Sequence, residues 1–451
     1  MEKAVLVVGG GPAGMYAAAR LGALRLESKE GGEAFRVILL ERNPRPGRKL
    51  LVSGSGRCNI AHDSPVEELL THYGGGDKPG ASARFLKRAL YALDTKALLG
   101  WFETRGLGFV TETSGKIFPE SGRATDVLKV LLAEIETMKI ELHSGSRLIS
   151  LAPLAPGGFE ALIEEGGVES TLQFDAVLIA TGGITYPVTG STGDGLTLAC
   201  TLGHSIVEPK PALAPIFVKD WVLGKLSGLS FRAAAFVLRR EGRVAVEREG
   251  DLLITHEGLS GPLILDGSRF LRAGDEIEVS FVPPEAPRGT SALRFEQRLD
   301  EEIRNSARGL VRGALVAAGL PKSLADALRE LAGVPADATC ASLSRAARRE
   351  LVRFATAFPV RVQALGGLDT AMATAGGVAL GEVDPATMES RIVPGLFFAG
   401  ELLDIDGDTG GYNLHAAFAT GNLAARGISD FLGHNAPRPS LRDEGAGQAS
   451  S

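Results

Sequence analysis

The sequence predicts an α/β fold in which a parallel-sheet domain is discontinuous, interrupted by an inserted β-rich plus helical domain. Three observations predict it. A buried strand at the N-terminus runs straight into a glycine turn. Strand and helix patterns then alternate to about residue 196. From about residue 360 the same glycine-rich αβ character returns after a stretch of different character.

The first element is the apolar run Ala4–Val8, a buried strand. Gly9-Gly10-Gly11-Pro12-Ala13-Gly14 follows and fits G-x-G-x-x-G, and Met15–Leu21 continues as a helix. In this context each glycine has a task. Gly9 permits the tight turn, Gly11 lets a pyrophosphate approach the backbone, and Gly14 lets the helix pack closely on the strand. The helix N-terminus offers free N–H groups and a positive dipole end to the phosphates. Arg36–Glu41 reads as the second parallel strand. Its terminal carboxylate, Glu41, is placed to accept hydrogen bonds from both hydroxyls of an adenosine ribose. The domain is therefore Rossmann-like and binds a dinucleotide. The link from Gly14 to Glu41 exceeds the usual ~20 residues, and the polar stretch Glu27–Glu33 accounts for this as a loop insertion.

The segment Gly47–Asn59 directly follows the second strand. Its glycines and serines make a loop whose N–H groups can turn inward, and Arg48, Lys49 and Arg57 either neutralise phosphate or are surface charges on a turn. Phe174–Ala180 is another buried strand, and Thr181-Gly182-Gly183 brings the chain close to the dinucleotide. Segments 213–219, 231–240, 243–255 and 275–282 then alternate as an antiparallel sheet. Pro283-Pro284-Glu285-Ala286-Pro287 is a break, residues 290–355 read as helices, and 395–401 is a strand with a charged residue at its carboxyl end. The expected organisation is 1–196 and 361–433 for the dinucleotide-binding domain. The insert spans 197–360, β-rich over 197–287 and helical over 288–360. A Pro-, Ser- and Gly-rich tail, read as disordered, covers 434–451.

Composition bounds the function. At 451 residues the chain holds two or three domains, and its net charge of −6 carries no overall basic signature for nucleic acid. Cys58, Cys200 and Cys340 are odd in number and far apart, which suits a reducing cytoplasm and points to neither a disulfide framework nor a zinc site. No signal peptide and no apolar run of ~20 residues is present. Asp404, Asp406 and Asp408 lack the glycine and distal glutamate of an EF-hand loop, so no metal is expected. No second G-x-G-x-x-G follows a predicted strand, so one dinucleotide is held permanently and a nicotinamide donor, where used, visits transiently.

Near the C-terminus, Leu402–Gly421 begins as a turn and becomes helical from Tyr412. A helix starting at Gly410-Gly411 aims N–H donors at an electron-rich group, such as the N1–C2=O edge of a reduced flavin. With Val8–Gly14, Arg48-Lys49-Leu50 and Ser53–Asn59, and with Ala180–Gly183, Pro187–Gly195, Thr255–Pro262, Thr374–Val378 and Met388–Arg391, this run resembles the BaiN/RdsA (YhiN-like) family of NAD(P)/FAD-dependent oxidoreductases. The resemblance spans about residues 4–430. It implies bound FAD, NAD(P)H as transient donor, and a discontinuous Rossmann-like FAD-binding domain. The cofactor-binding set is Gly9, Gly11, Pro12, Ala13, Gly14, Glu41, Arg42, Lys49, Ser53, Gly54, Arg57, Cys58, Asn59, Ala180, Thr181, Gly182, Gly400, Glu401, Gly410, Gly411, Tyr412, Asn413 and Leu414.

Family members reduce C=C bonds, in uridine of ribosomal RNA or in unsaturated steroid-like acids, and others carry an aminoacetone oxidase label. Two positions depart from the family pattern: Ser55 stands where glycine is common, and His415 where glutamine is common. C=C reduction needs a hydride from flavin N5 and a proton from an acid on the other face. Cys58, His256 and His415 are the candidate catalytic residues. Cys58 is either a protonated donor or a small buried residue. His256 either lines the pocket or is structural. His415 and Tyr412 are placed to hydrogen-bond the flavin, and Tyr186 is either a pocket wall or packing. Residues 288–353 carry 12 Arg and Lys against 8 Asp and Glu, a net +4 in a chain of −6. Arg345, Arg348, Arg349 and Arg353 can share one helix face, either as phosphate contacts or as an ordinary solvated face. The readings are an FAD-dependent C=C reductase acting on ribosomal RNA, an enone reductase or amine oxidase of small molecules, and a flavin-containing RNA-binding assembly factor.

Overall fold

A computed structural model describes residues 3–27, 35–76, 80–285 and 290–434. The expected loop insertion from 28 to 33 and the expected tail from 435 onward lie outside the described residues. The chain forms two compact units, one from residues up to 209 and from 376 on, the other from 210 to 375.

In the first unit, strand β1 (Lys3–Val8) leads into helix α1 (Pro12–Glu27), and strand β2 (Phe35–Glu41) pairs parallel to β1, Val5 against Val37 and Val7 against Leu39. Ala176–Ile179 flanks β1 on its other side, with Leu396–Phe398 beyond it, and Glu141–Ser144 lies outside β2. All five strands are parallel, and Val5, Leu6 and Val7 have no exposed surface. Strands covered on both faces need continuous apolar runs, and Ala4–Val8 supplies one. Each such buried side chain stabilises the sheet by ~1.5–3 kcal/mol. The helix Tyr412–His434 packs on α1, where Tyr16 meets Phe418 edge-on at 5.5 Å. A Cβ on Gly421 would stand 2.5 Å from the Ala13 carbonyl oxygen, so that crossing requires glycine.

Phe174–Ala180 is not one strand. The chain bends at Asp175, whose carboxylate accepts from the Ala4 N–H at 2.8 Å and whose own N–H donates to the Ala4 carbonyl. Upstream of the bend, Ser146–Pro153, Phe159–Glu165 and Val168–Phe174 form a separate antiparallel sheet that the strand–helix alternation did not reveal.

The second unit is built on a closed antiparallel barrel. Its strand order is Ile216–Val218, Gly258–Ser260, Arg243–Ile254, Ser230–Arg240, Glu276–Ser280 and Phe358–Leu365. Helices including Ser291–Asn305 and Arg345–Thr356 send Phe295, Leu299, Leu351 and Ala355 into the same core as Phe236, Val279 and Val360. Phe358–Leu365 read as part of the returning αβ domain in the sequence. Its strict alternation, with Phe358, Val360 and Val362 buried, instead closes the barrel. The units accordingly divide at 209/210 and 375/376, against 196/197 and 360/361 in the sequence reading.

Candidate functional site

The glycine turn is built as its motif requires. Gly9 has φ +112°, and a Cβ there would stand 2.5 Å from the Ala180 carbonyl oxygen. A Cβ on Gly14 would stand 1.9 Å from the Gly9 oxygen. At Gly11 a Cβ would meet nothing within 4 Å among the described residues, which leaves the backbone open to a bulky anion. Pro12 occupies the first position of α1, where its missing N–H costs nothing.

Glu41 is buried at the carboxyl end of β2. Gly10 N–H donates to its Oε2 at 2.9 Å, and the Asn43 N–H and side-chain amide donate to its Oε1 at 2.7 and 2.6 Å. Three donors fix the carboxylate and still leave acceptor capacity on Oε2 for a ribose hydroxyl. Asn43 escaped the sequence reading, although it stands two residues beyond Glu41.

The cations singled out from the sequence in this region all have protein partners. Lys49 Nζ donates to both oxygens of Glu401, at 2.9 and 2.7 Å, and to Thr185 Oγ1 at 2.9 Å. Arg57 pairs with Glu112 at 2.7 Å and lies over the Phe118 ring at 3.9 Å. Arg48 donates to Asn43 Oδ1 at 3.1 Å. Arg42 pairs with Asp194 at 3.2 Å and hydrogen-bonds Thr192. Each is committed to protein partners rather than standing as a spare counter-charge. The N–H groups and dipole at the start of α1 are a further place for anionic charge.

The contacts join most of the predicted residues into one cradle in the first unit. Gly47 N–H donates to the Gly10 carbonyl, Gly9 abuts Ala180 and Thr181, and Gly400 abuts Ala13. A Cβ on Gly182 would lie 4.0 Å from Glu401 Oε2. Gly54 (φ +55°) and Ser53, whose hydroxyl donates to Leu50 O, shape the loop leading to Asn59. At the other end, a Cβ on Gly411 would stand 2.5 Å from the Ala61 carbonyl oxygen, so the Gly410–Gly411 turn lies against the chain just beyond Asn59. Asn413 closes that turn by accepting from Gly407 N–H and donating to Gly407 O. Leu414 is half-buried and Tyr412 is buried at the start of the C-terminal helix. The cradle fits a dinucleotide: Asn59 Oδ1 and Thr181 Oγ1 are buried with no hydrogen-bond partner among the described residues, and Gly11 is open.

The three catalytic candidates fare differently. Cys58 has no exposed surface, and burial pushes its thiol up to about 12 against a lowering hydrogen bond from Ser53. His415 is also fully buried. Its Nε2 donates to the Leu93 carbonyl at 2.8 Å, and burial lowers its pKa, so the ring is neutral and anchors the helix. His256 is exposed in the turn between barrel strands of the second unit. Tyr186 caps the turn at 187–189 with φ +54°.

Among the described residues, no helix is long and apolar enough to cross a membrane, and no group of three or more His, Cys, Asp or Glu could hold a metal.

Residues 3–427 match the HI0933-like protein Rossmann domain family. The chain is 33% identical over 431 residues to a 3-dehydro-bile acid delta(4,6)-reductase of Clostridium scindens, covering 94% of this chain and 98% of that protein. It is 28% identical to the ribosomal RNA dihydrouridine synthase of Escherichia coli, covering 94% and 97%. Among solved structures it is similar in fold to a quinol–fumarate reductase with menaquinol, with a TM-score of 0.50, 14% identity, and coverage of 97% of this chain and 73% of that one. The glycine turn, the carboxylate at the end of β2 and the end-to-end match agree, and the chain belongs to the HI0933-like Rossmann-domain family as an FAD-dependent oxidoreductase.

Proposed function

We propose that this enzyme saturates a C=C bond conjugated to a carbonyl, with NAD(P)H as the visiting electron donor and the cytoplasm as its compartment. The observation that carries the reading is the end-to-end match to two relatives whose names share one chemistry. A 3-dehydro-delta(4,6) bile acid and a uridine each offer an olefin activated by a carbonyl. FAD, when bound, supplies the two-electron chemistry. Glu41 and Asn43 hold the ribose end, Gly9–Gly14 and α1 receive the pyrophosphate, and Asn59 and Thr181 offer the unpaired polar atoms. The N-terminus of Tyr412–His434 holds negative charge that develops beside it.

Ribosomal RNA is the substrate to test first, because residues 288–353 carry a net +4 in a chain of −6. Arg348 is tied to Asp300 at 2.8 Å and Arg353 to Glu350 at 2.7 Å, which leaves Arg345 and Arg349 exposed for phosphate. The 33% identity to a bile-acid reductase favours a small enone as the second reading. Dihydrouridine in ribosomal RNA, measured by mass spectrometry in cells with and without the gene, decides between them. Loss on deletion with restoration by the intact gene supports the RNA substrate. An unchanged level moves the reading to a small enone.

A further inference from the structure

Three aromatic side chains border the Gly410–Gly411 turn, and the site described so far gives two of them no task. His62 and His72 both stack on Tyr412, with ring centroids 5.2 and 4.5 Å away and interplanar angles of 18°. The two imidazoles lie 6.5 Å apart. A Cβ on Gly410 would stand 3.0 Å from the Tyr412 ring and 3.4 Å from the His62 ring, so the group sits at the turn itself. Two further contacts fix the cluster. Tyr73 Oη donates to the Tyr412 carbonyl at 2.9 Å, and Asp406–Gly407 pairs with Tyr73–Gly74.

The histidines are not equivalent. His62 has both ring nitrogens engaged, Nε2 with the Ser114 carbonyl at 3.1 Å and Nδ1 with Ser64 Oγ at 2.9 Å. A carbonyl only accepts, so Nε2 carries the proton and Nδ1 accepts from the serine. Burial lowers the pKa of this ring, so it stays neutral. His72 is oriented the other way. Its Nδ1 lies 3.0 Å from Asp408 Oδ2, and its Nε2 has no hydrogen-bond partner among the described residues. The Asp408 side chain is 6% exposed and that of His72 is 34% exposed. A nearly buried carboxylate thus holds one nitrogen of a ring that is itself about a third exposed. The titratable groups facing His72 are Asp408, Tyr412 and His62, and Glu68 acts on His62.

We propose that His72 and Asp408 form a proton-delivering pair beside the Gly410–Gly411 turn, in which His72 Nε2 gives the proton that completes saturation of the C=C bond. This rests on the reading of the site as one for C=C reduction. Saturation breaks one π bond and forms two C–H bonds, which requires two electrons and two protons. The electrons and one proton come with the flavin-dependent reduction. The other proton leaves imidazolium Nε2 for the carbon next to the carbonyl, and neutral His72 is then reprotonated from solvent. Asp408 fixes the Nδ1–H tautomer and stabilises the imidazolium.

The test uses the full-length holoenzyme with His72→Gln and Asp408→Asn. Both variants should keep their visible flavin absorbance and their rate of flavin reduction by NAD(P)H. In the wild type, the NMR tautomer signature of the neutral His72 ring should show the proton on Nδ1, held by Asp408. With a 3-oxo-4-ene steroid acid and unmodified ribosomal RNA as probes, His72→Gln should lower kcat ~10²–10⁴-fold and remove the alkaline limb of its pH profile. An unchanged kcat and pH profile in His72→Gln overturns the proposal, as does a neutral His72 ring that carries its proton on Nε2. If the wild-type protein saturates neither probe, the reaction reading fails and the proton's destination fails with it. The tautomer separately decides whether the pair exists.

Discussion

Ser55 shows how a single backbone angle constrains a residue. It has φ +57° and ψ +39°, a left-handed conformation that costs an L-residue with a Cβ ~1–2 kcal/mol. Glycine has no such cost, which explains why glycine is common at this place in the family the sequence resembles. Ser55→Gly should raise stability by about 1 kcal/mol, less the glycine's greater loss of chain entropy, in a denaturant melt. A lower midpoint would show that the serine side chain contributes more than its backbone costs. Cys58 makes the opposite point. Its folded thiol is pushed above the unfolded value, so its contribution to stability is present below pH ~8.5 and is lost as pH rises toward 12. Cys58→Ala should therefore flatten the alkaline loss of stability between about pH 9 and 12. It should leave the pH dependence of turnover near neutrality unchanged. A new limb in that profile would return the thiol to the chemistry.

At the scale of elements, the C-terminal helix is held by His415, whose Nε2–H bonds the carbonyl that ends the helix Ala81–Ala92. Burial lowers the folded pKa of this ring below the unfolded value. Its stabilisation is complete above pH ~6.5 and is lost as pH falls through the lower folded value. His415→Gln keeps a donor for Leu93 and cannot be protonated, so it should weaken the acid-side fall in melting temperature. A steeper fall would sink the argument. The helix Arg345–Thr356 divides its arginines. Arg345→Glu with Arg349→Glu should lower RNA affinity and flatten its salt dependence by about one phosphate contact per lost cation, with little change in melting temperature. Arg348→Glu should destabilise instead, because it replaces the ion pair with Asp300 by two facing carboxylates. Equal effects from the double and single variants would show that the exposed arginines make no phosphate contact.

At the scale of the molecule, a cradle assembled from residues near 10, 41, 59, 181 and 401 forms only when the first unit is folded. If FAD binds there as proposed, it stabilises that state by mass action, by ~4 kcal/mol when free cofactor exceeds its Kd a thousandfold. The melting temperature should therefore rise with the logarithm of free FAD concentration above Kd, and Gly14→Ala should abolish that dependence. A Cβ at Gly14 collides with the Gly9 carbonyl oxygen at 1.9 Å.

The sequence by itself determined the parallel-sheet core, the glycine turn, the carboxylate of Glu41 and the interruption of the domain. These are written in local signals, namely apolar runs, spaced glycines and a two-residue alternation, and such signals survive without knowledge of the neighbours. It also contained the alternation of Phe358–Leu365, but which sheet that strand joins is a question of pairing, and closure of the barrel answered it. Tertiary structure alone decided which charges are spent. Lys49 meets Glu401 across 352 positions and His72 meets Asp408 across 336. No periodicity encodes such pairs, because they depend on where separate elements arrive when the core closes. The same closure buried Cys58 and His415, leaving His72 to face solvent at the turn.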